Sequence, residues 1–556
     1  MEVTKTTMTA DVQMSPQQET VAEWVKTGTG NALVKAVAGS GKTFTLIQII
    51  QLLTGKVAFV AYNKAIQVEI DMKVRALGRL ACYAWVSTFH SLAFKSWRGA
   101  FPRVQVDGNK VNTLIKYATL AGQLEPGVPF PLRKFVRKAY DLSRQWGIGV
   151  LPDFKFGDTQ KWMDLVDRFD LESQIENDAI FQGANPVALG ILYTEHILKL
   201  GYQMARGAVA GINELPVIDF EDMIWCPLHA GMSFETFNWV LVDECQDLNP
   251  TRIAMVKAIL KPGGRLIAVG DPHQAIYGFT GADAESYKRI QQDFNCVELP
   301  LTHSFRCPTS VVMFAQQWVS HIESAPGAPA GMVTSVDYKD WDLSSLTSSD
   351  AVLCRNNAPL VTLFFKLLRN GVTSKIEGRD IAMQMIRVCE KWKTNNCATL
   401  HTRLIEYAKS ETQKAMAQGR EERAEQTQDI VSAIIAVMEA IGMDQSVDAL
   451  IDRINSMFFD SPIDSGSAAG GTYRKMLTLT SIHKSKGREW HRVFWLGRNV
   501  TCPSRYARKA WQIEQEDNLC YVAATRAKDT LVDILAASID QITGRSRSER
   551  QEEEEY

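Results

Sequence analysis

The residues with the clearest chemical potential form the sequence Ala-Val-Ala-Gly-Ser-Gly-Lys-Thr at positions 36–43. An apolar pair precedes them at 33–34 and an amphipathic run follows at 44–50, which predicts a strand, a tight turn and a helix. Such a turn binds phosphate because its small residues aim backbone N–H groups and a helix N-terminus at one anion. The lysine reaches the outer phosphates, and the next hydroxyl is a magnesium ligand. The residues assigned to this site are Ala38, Gly39, Ser40, Gly41, Lys42 and Thr43, with Thr43 also assigned to the metal.

A second apolar strand, residues 239–242, ends in the adjacent carboxylates Asp243 and Glu244. Asp243 is placed to hold a magnesium ion, directly or through water, and Glu244 to accept the proton of an attacking water. Adjacent carboxylates can instead cap a helix or form a salt bridge. Because a phosphate loop occurs in the same chain, catalysis is the favoured interpretation, and the combination is typical of a nucleotide-hydrolysing protein.

Four more residues carry groups suited to nucleotides or bases. Gln18 is either a surface residue or a reader of adenine, since an amide satisfies both donor and acceptor edges of that base. Gln274 follows the predicted strand 265–271 and is a candidate sensor of the γ-phosphate. Tyr277 and Phe279 lie close to glycines and are candidate stacking surfaces for bases, with packing in the core as the alternative.

These residues need a scaffold, and the alternation of strands and helices after the phosphate loop predicts a doubly wound parallel sheet. Ligands of such sheets bind at the carboxyl ends of the strands. The predicted strands 57–62 and 86–88 place four polar residues there: Asn63, Lys64, Thr88 and His90. A histidine at a strand end is more often structural, so each residue alone is a weak signal.

The alternation of strand and helix patterns along the sequence divides the chain into two parallel-sheet core domains of the α/β class, each with a mainly helical insertion. The first domain is predicted at 1–94 and 217–300, with its insertion at 95–216. The second is predicted at 301–380 and 472–540, with its insertion at 381–471. Residues 541–556 end in four consecutive glutamates before the last tyrosine and are predicted to be a disordered acidic tail.

The first insertion contains a predicted helix at 132–145 with basic residues beside an apolar stripe. Its basic face either binds phosphates or is a solvated surface, and the sequence favours neither. The basic residues are Arg133, Lys134, Arg137, Lys138 and Arg144.

Length and composition set wider bounds. A chain of 556 residues is too long for one core, and 46% apolar with 22% charged residues is ordinary for a soluble globular protein. No apolar run is long enough for a membrane span, and residues 1–14 resemble neither a signal nor a transit peptide. Ten scattered cysteines without a metal-binding spacing indicate reduced thiols. We therefore expect a cytoplasmic protein without a membrane partner, while a net charge of −2 decides nothing about nucleic acid.

In order and spacing, the motifs resemble those of the UvrD/Rep-like superfamily 1A DNA helicases, over roughly residues 12–94, 219–310, 351–380 and 474–535. Residues 14–18 are similar to the Q motif of that family and 36–43 to motif I, where alanine commonly holds the first position. Residues 243–247 match motif II, and 270–282 match motif III closely. The resemblance implies two RecA-like core domains that bind ATP between them, with Mg2+.

The same resemblance assigns nucleotide contacts to the second domain. The Ser-Phe-Arg sequence at 304–306 is similar to motif IV, which implies that Phe305 stacks on adenine and that Arg306 is an arginine finger. Residues 521–527 are similar to motif VI and make Arg526 a second finger. Motif V, at 481–490, implies that Glu489 contacts the ribose. Phe44 stands where many members of the family have an arginine stacked on the base.

Motifs Ia, Ib, III and V contact single-stranded DNA in this family. The residues that the resemblance assigns to DNA are Tyr62, Asn63, Lys64, Thr88, His90, Tyr277, Phe279 and His483. The short second insertion and the Ser-Phe-Arg-Cys-Pro sequence look more like F-box DNA helicases and phage enzymes than like the long bacterial repair helicases. A nucleoid, host-cell or nuclear location would follow from the corresponding source.

The resemblance implies an ATP-dependent helicase that moves 3′→5′ on single-stranded DNA and acts on tailed duplexes. Its protein partners, in replication, repair or recombination, are not identified by the sequence. One alternative is a translocase that mainly displaces proteins from DNA. A second, of another class, is a non-motor scaffold switched by ATP; the residues at 244, 306 and 526 argue against it.

Overall fold

The computed structural model describes residues 13–78, 83–120, 130–175, 185–209, 215–276, 285–417, 421–458, 476–505, 507 and 510–543. The chain forms two compact units, Met1–Thr302 and His303–Tyr556, each containing a six-stranded sheet whose strand pairs are all parallel. The expected α/β class with two RecA-like sheet domains is confirmed. Residues 1–12, and all of the predicted acidic tail after residue 543, lie outside the described residues.

The strands of the first unit are β1 Asn31–Ala36, β2 Val57–Ala61, β3 Ala84–Thr88, β4 Gln105–Val106, β5 Val217–Ile218, β6 Phe237–Val242, β7 Leu260–Gly270 and β8 Cys296–Leu301. Its helices are α1 Pro16–Thr27, α2 Lys42–Ile50, α3 Lys64–Ala76, α4 Phe89–Ala100, α5 Lys110–Leu120, α6 Arg133–Gln145, α7 Thr159–Arg168, α8 Pro186–Ala205, α9 Asp222–His229, α10 Pro250–Ile259 and α11 Ser286–Asp293.

The strands of the second unit are β9 His303–Ser304, β10 Glu323–Ser324, β11 Met332–Asp337, β12 Ala351–Cys354, β13 Ser374–Glu377, β14 Leu477–Ser481, β15 Trp490–Leu496 and β16 Ala527–Leu535. Its helices are α12 Thr309–Ala315, α13 Ala358–Arg369, α14 Arg379–Cys389, α15 Cys397–Ala417, α16 Glu421–Ile441, α17 Val447–Phe458, α18 Ile482–Ser485, α19 Arg498–Thr501, α20 Ala510–Ala524 and α21 Ile539–Thr543.

The sheet of the first unit has the order β3-β2-β6-β7-β1-β8. Ala32, Leu33 and Val34 of β1 are almost completely buried, as expected for a parallel strand between two helical layers. In this register Lys35 pairs with Gly270 and Val60 with Val242, so the carboxyl ends of β1, β2, β6 and β7 share one edge of the sheet. That edge carries the phosphate loop after β1, Asp243 and Glu244 after β6, and Asp271 after β7.

The first helical insertion has its own hydrophobic core, centred on Trp97, Phe135, Trp162 and Trp225. Helix α4 runs through the predicted boundary at residue 94, and α9, after the predicted return at 217, packs into the same core. The domain limits therefore remain predictions.

One basic residue of the first insertion lies elsewhere than expected. Arg144 was grouped with the basic face of α6, but its side chain is completely buried and pairs with Asp219 and Asp222. The interpretation of Arg144 as a surface cation is therefore wrong. Its guanidinium also lies over the ring of Tyr140, which gives the buried charge a polarisable neighbour. Arg133, Lys134, Arg137 and Lys138 are exposed.

The second helical segment, α14 to α17, shares one continuous core with the sheet of its unit. Leu400, Val431 and Leu450 belong to the same buried cluster as Val352 and Leu479. Within the described residues, no helix is long and apolar enough to cross a membrane.

Candidate functional site

The turn between β1 and α2 has the geometry of a phosphate loop. Gly39 and Gly41 have φ angles of 74° and 80°, a left-handed conformation that favours glycine. A Cβ at Gly41 would lie 2.8 Å from Nε2 of Gln18, so space as well as backbone angle requires glycine there. Ser40 is buried, and its Oγ has no hydrogen-bond partner among the described residues. An unpaired polar atom inside this turn fits a site built for a polar ligand.

Gln18 fastens helix α1 to the phosphate loop. Ser15 and Gln18 form a capping box at the start of α1, in which Ser15 N donates to Oε1 of Gln18 at 2.9 Å. Nε2 of Gln18 donates to the carbonyl of Ser40 at 3.2 Å. The surface interpretation of Gln18 is therefore wrong, because the residue is buried. Its reading of adenine remains a prediction, as does the base contact of Phe44, which lies half-buried in the first turn of α2.

Thr43 and Asp243 meet across the carboxyl edge of the sheet. Oγ1 of Thr43 donates to Oδ2 of Asp243 at 2.5 Å, although the two residues are 200 positions apart. Burial, and then the charge of Glu244, raise the pKa of the Asp243 carboxyl to about 6. A hydroxyl and a buried carboxylate destabilised by a second carboxylate form a donor set that suits Mg2+, which prefers oxygen ligands. Thr43 and Asp243 would hold the ion.

Lys42 brings the positive charge to this site. It opens helix α2 directly after Gly41, and its side chain is buried. No hydrogen bond or ion pair joins it to another described residue, although its charge acts on Asp243. Its ammonium group is thus available to a bound anion.

Glu244 is held in a strained and oriented conformation. Its φ of 52° is uncommon for a residue other than glycine, and such strain often marks functional sites. Its Oε2 accepts a hydrogen bond of 2.6 Å from Nε2 of Gln246. The carboxylate therefore has a fixed direction, as a base that orients water requires.

A chain of hydrogen bonds connects Glu244 with Gln274. Oε1 of Gln246 accepts from the backbone N–H of Asp271 at 3.1 Å, and Oδ2 of Asp271 accepts from Nε2 of Gln274 at 2.8 Å. Gln274 is buried at the end of a short 3-10 turn after β7. Sequence reasoning gave Gln246 no role, because nothing in the sequence shows that its amide bridges two strands.

The residues predicted to contact DNA in the first unit follow β2 and β3. Asn63 and Thr88 cap helices α3 and α4, since their side-chain oxygens accept from Ile66 N at 2.9 Å and Ser91 N at 3.2 Å. Lys64 is exposed and donates to Oε1 of Gln67 at 2.6 Å.

Two aromatic residues and two histidines complete the set of predicted DNA contacts. Tyr277 and Phe279 lie outside the described residues. Burial, followed by the charge of Arg252, lowers the pKa of His90 to about 4. Burial also lowers the pKa of His483 to about 3. Both histidines are therefore neutral at physiological pH, and their predicted contacts with DNA remain predictions.

In the second unit, the predicted finger Arg306 is paired with the predicted ribose contact Glu489. Nε of Arg306 donates to Oε2 of Glu489 at 2.6 Å, and Nζ of Lys528 donates to Oε1 of the same carboxylate at 3.0 Å. Burial acts to raise the pKa of Glu489, but the two cations outweigh it and the pKa is lowered. Phe305, next to Arg306 in sequence, is 52% exposed, so its ring is accessible to a ligand.

Arg526 is almost completely buried at the end of α20. Its guanidinium donates to the carbonyls of Val522 at 2.9 Å and Arg488 at 3.1 Å, and to the hydroxyl of Thr525 at 3.1 Å. These hydrogen bonds hold the guanidinium against the backbone of its own unit.

Comparison with known proteins places these features in a family. Residues 14–295, about half of the chain, match the model of the UvrD/REP helicase N-terminal domain. F-box DNA helicase protein 1 of Schizosaccharomyces pombe is 24% identical over 90% of this chain and 55% of its own length. ATP-dependent DNA helicase PcrA of Staphylococcus epidermidis is 23% identical over 95% of this chain and 84% of its own.

DNA helicase II of Haemophilus influenzae is 24% identical over 63% of this chain and 49% of its own length. The chain thus spans about half the length of two of these three relatives. With half of its residues matched by one family model, and with the phosphate loop and acidic motifs inside the matched region, the chain belongs to the UvrD/REP helicase family.

Proposed function

We propose that this protein is an ATP-dependent DNA helicase that moves 3′→5′ along single-stranded DNA and separates tailed duplexes. The observation that carries the proposal is the contact between Thr43 and Asp243, which joins the phosphate loop to the acidic strand end. Family membership supports the choice of DNA as the substrate, because the relatives PcrA and DNA helicase II are named DNA helicases.

In this proposal, the first unit binds the triphosphate and prepares the attacking water. The loop N–H groups and Lys42 receive the phosphates, while Thr43 and Asp243 hold Mg2+. The bound ion neutralises charge that develops on the phosphoryl oxygens. Glu244, oriented by Gln246, aligns the water and takes its proton. Gln274 senses the γ-phosphate and is connected to Glu244 through the hydrogen bonds of Asp271 and Gln246.

Arg306 and Arg526 of the second unit supply the remaining positive charge in the transition state. An arginine finger contributes a rate factor of about 10³–10⁵ in related phosphoryl transfer. Each round of binding and hydrolysis then moves the strand, which is held by phosphate contacts and by stacking on Tyr277 and Phe279. Such stacking contributes about 1–3 kcal/mol per base.

The test is strand displacement on duplexes with a 3′ tail, a 5′ tail or blunt ends, in the presence of ATP and Mg2+. We expect displacement from the 3′-tailed duplex alone, and none with Glu244→Gln. Displacement from the 5′-tailed duplex alone would overturn the proposed polarity.

The same preparations distinguish the alternative functions. Removal of a protein roadblock from single-stranded DNA without duplex separation would identify a protein-displacing translocase. ATP hydrolysis that single-stranded DNA does not stimulate would instead favour a non-motor switch.

A further inference from the structure

The predicted DNA contacts of the first unit supply little positive charge. The side-chain oxygens of Asn63 and Thr88 are engaged in helix caps, and His90 is neutral at physiological pH. Lys64 is the one cation in the predicted set, and its ammonium group already donates to Gln67. Because phosphate contacts dominate the affinity of proteins for nucleic acid, a face of this kind requires a further cation.

Arg252 lies beside these residues, in the first turn of α10. The centre of its guanidinium is 5.1 Å from the centroid of the Tyr62 ring. Both side chains, like that of His90, are half-buried. Arg252 follows β6, whereas Tyr62 and His90 follow β2 and β3, so three neighbouring parallel strands bring the three residues to the same edge.

The guanidinium of Arg252 has no hydrogen bond or ion pair with any residue that the structure describes, and its Nε is buried without a partner. Its backbone N–H is engaged in the cap formed by Asn249, so the helix fixes the residue while the charged group stays unpaired. An unpaired guanidinium is costly to bury in part and is satisfied by an anionic ligand with oxygen acceptors.

The charge of Arg252 acts on the carboxyl group of Glu221 and on the imidazole of His90. Glu221 forms no ion pair with Arg252 within 4.0 Å, although the charge of Arg252 acts on its pKa. Oε1 of Glu221 instead accepts a hydrogen bond from Nε2 of Gln145 at 3.1 Å. Burial raises the pKa of Glu221, whereas the charge of Arg252 acts to lower it. The same positive charge disfavours the protonated form of His90 and so helps burial to lower the pKa of its imidazole.

We propose that Arg252 binds the phosphate backbone of single-stranded DNA, next to Tyr62 and His90. The planar guanidinium matches two phosphate oxygens, and its position over the tyrosine ring keeps the fork oriented. This assignment rests on the proposed function, since it names a contact within the same DNA-binding face.

The sequence alone does not identify Arg252 as a candidate contact for DNA. Arg252 occurs in Asn-Pro-Thr-Arg, after the acidic motif, where a basic residue in a first helical turn has the pattern of an ordinary surface position. Only the parallel order of β2, β3 and β6 brings it to Tyr62 and His90.

The test is the salt dependence of oligo(dT) binding, measured by fluorescence anisotropy on the full chain. Arg252→Gln should weaken binding about tenfold, the effect of one charge-assisted hydrogen bond. The slope of log K against log salt should become shallower by about 0.7, the value for one phosphate contact on a single strand. Arg252→Lys should keep the wild-type slope, because it keeps the charge.

Arg75→Gln is the matched control, since it removes one positive charge from an exposed side chain at the last turn of α3. We expect wild-type affinity and slope for this variant, and wild-type affinity for ATP in all three.

The outcomes separate this inference from the proposed function. Wild-type protein that does not bind oligo(dT) overturns both. If wild-type protein binds oligo(dT) and Arg252→Gln binds with the same affinity and the same slope, the role of Arg252 alone is overturned. Weaker binding by Arg252→Gln with an unchanged slope also overturns that role, because it indicates a structural effect. If Arg252→Gln does not fold, a slope in Arg252→Lys that differs from wild type overturns the phosphate contact.

Discussion

Some of the groups predicted to bind nucleotide are unpaired among the described residues of the first unit, whereas the two predicted arginine fingers of the second unit have partners. In the first, Lys42 and Oγ of Ser40 have no partner among the described residues. In the second, Arg306 is paired with Glu489, and Arg526 donates to carbonyl groups of its own unit. A group without a partner binds a ligand at no loss of internal contacts, whereas a paired group must first exchange one bond for another.

This difference suggests that the first unit mainly determines nucleotide binding and that the arginines of the second unit mainly determine hydrolysis. The phosphate loop is prepared to bind nucleotide, and we expect its residues to determine affinity as well as turnover. The arginines of the second unit are held by internal contacts, so we expect them to act when charge develops on the transferring phosphoryl group. Binding and hydrolysis should therefore respond separately to substitution in the two units.

The largest expected effect is that of Lys42→Ala. Loss of one charged donor from the transition state lowers turnover by about 10²–10³-fold, and loss of a phosphate contact weakens nucleotide binding by about tenfold. We expect kcat/KM for DNA-stimulated ATP hydrolysis to fall by roughly 10³–10⁴-fold. Lys56→Ala, which removes an exposed lysine of the same unit, is the control and should retain activity. Wild-type nucleotide affinity in Lys42→Ala would contradict the role of the loop.

Arg306→Ala should lower kcat by about 10³-fold, the lower range for an arginine finger, because its charge is needed only in the transition state. Affinity for a fluorescent ATP analogue should stay within about threefold of wild type. Arg403→Ala, on exposed α15, removes an arginine of the same unit and should change neither value. Equal losses of affinity in Arg306→Ala and Lys42→Ala would remove the contrast between the units.

Gln246→Ala tests the hydrogen bonds that orient Glu244. We expect kcat to fall by about 10–100-fold, as for other residues that hold a reacting group in place. KM for ATP should be unchanged, because no loop residue loses a contact. A matched glutamine in the second unit, Gln316, bonds to a carbonyl and should tolerate alanine. A rise in KM without a change in kcat would show that Gln246 acts on binding instead.

The smallest expected effect is the pH dependence of the free energy of unfolding, to which one histidine in each unit should contribute in the same direction. The pKa values of His90 and His483, about 4 and about 3, lie below the ordinary value of 6.5. The unfolded chain therefore binds protons that the folded chain excludes, so the free energy of unfolding should fall as pH is lowered from 6.5 towards these values. Urea unfolding of His90→Asn should show a shallower decline, and a decline equal to that of wild type would contradict the low pKa of His90.

Local patterns were sufficient to predict the phosphate loop and the strand ends, because each depends on residues close in sequence. The contacts that join distant segments were not predictable in this way. Gln246 bridges two strands, Arg144 turns inward to buried aspartates, and Arg252 reaches Tyr62 only through the order of the sheet. Helix periodicity placed Arg144 among surface cations, since it does not show which charged residue finds a buried partner.

The two helical segments also differ in a way that the sequence does not show. The first builds a core of its own, while the second completes the core of its sheet. Asp429 of α16 accepts from the backbone N–H groups of Asn357 and Ala358 at the start of α13, which fastens the second segment to the sheet domain.

The division between binding and hydrolysis is tested most directly by measuring nucleotide affinity and single-turnover hydrolysis on one preparation of Arg526→Ala, with single-stranded DNA present. We predict ATP affinity within about threefold of wild type and a rate of hydrolysis lower by about 10³-fold or more. Hydrolysis at the wild-type rate, or a loss of affinity as large as that of Lys42→Ala, would contradict the account.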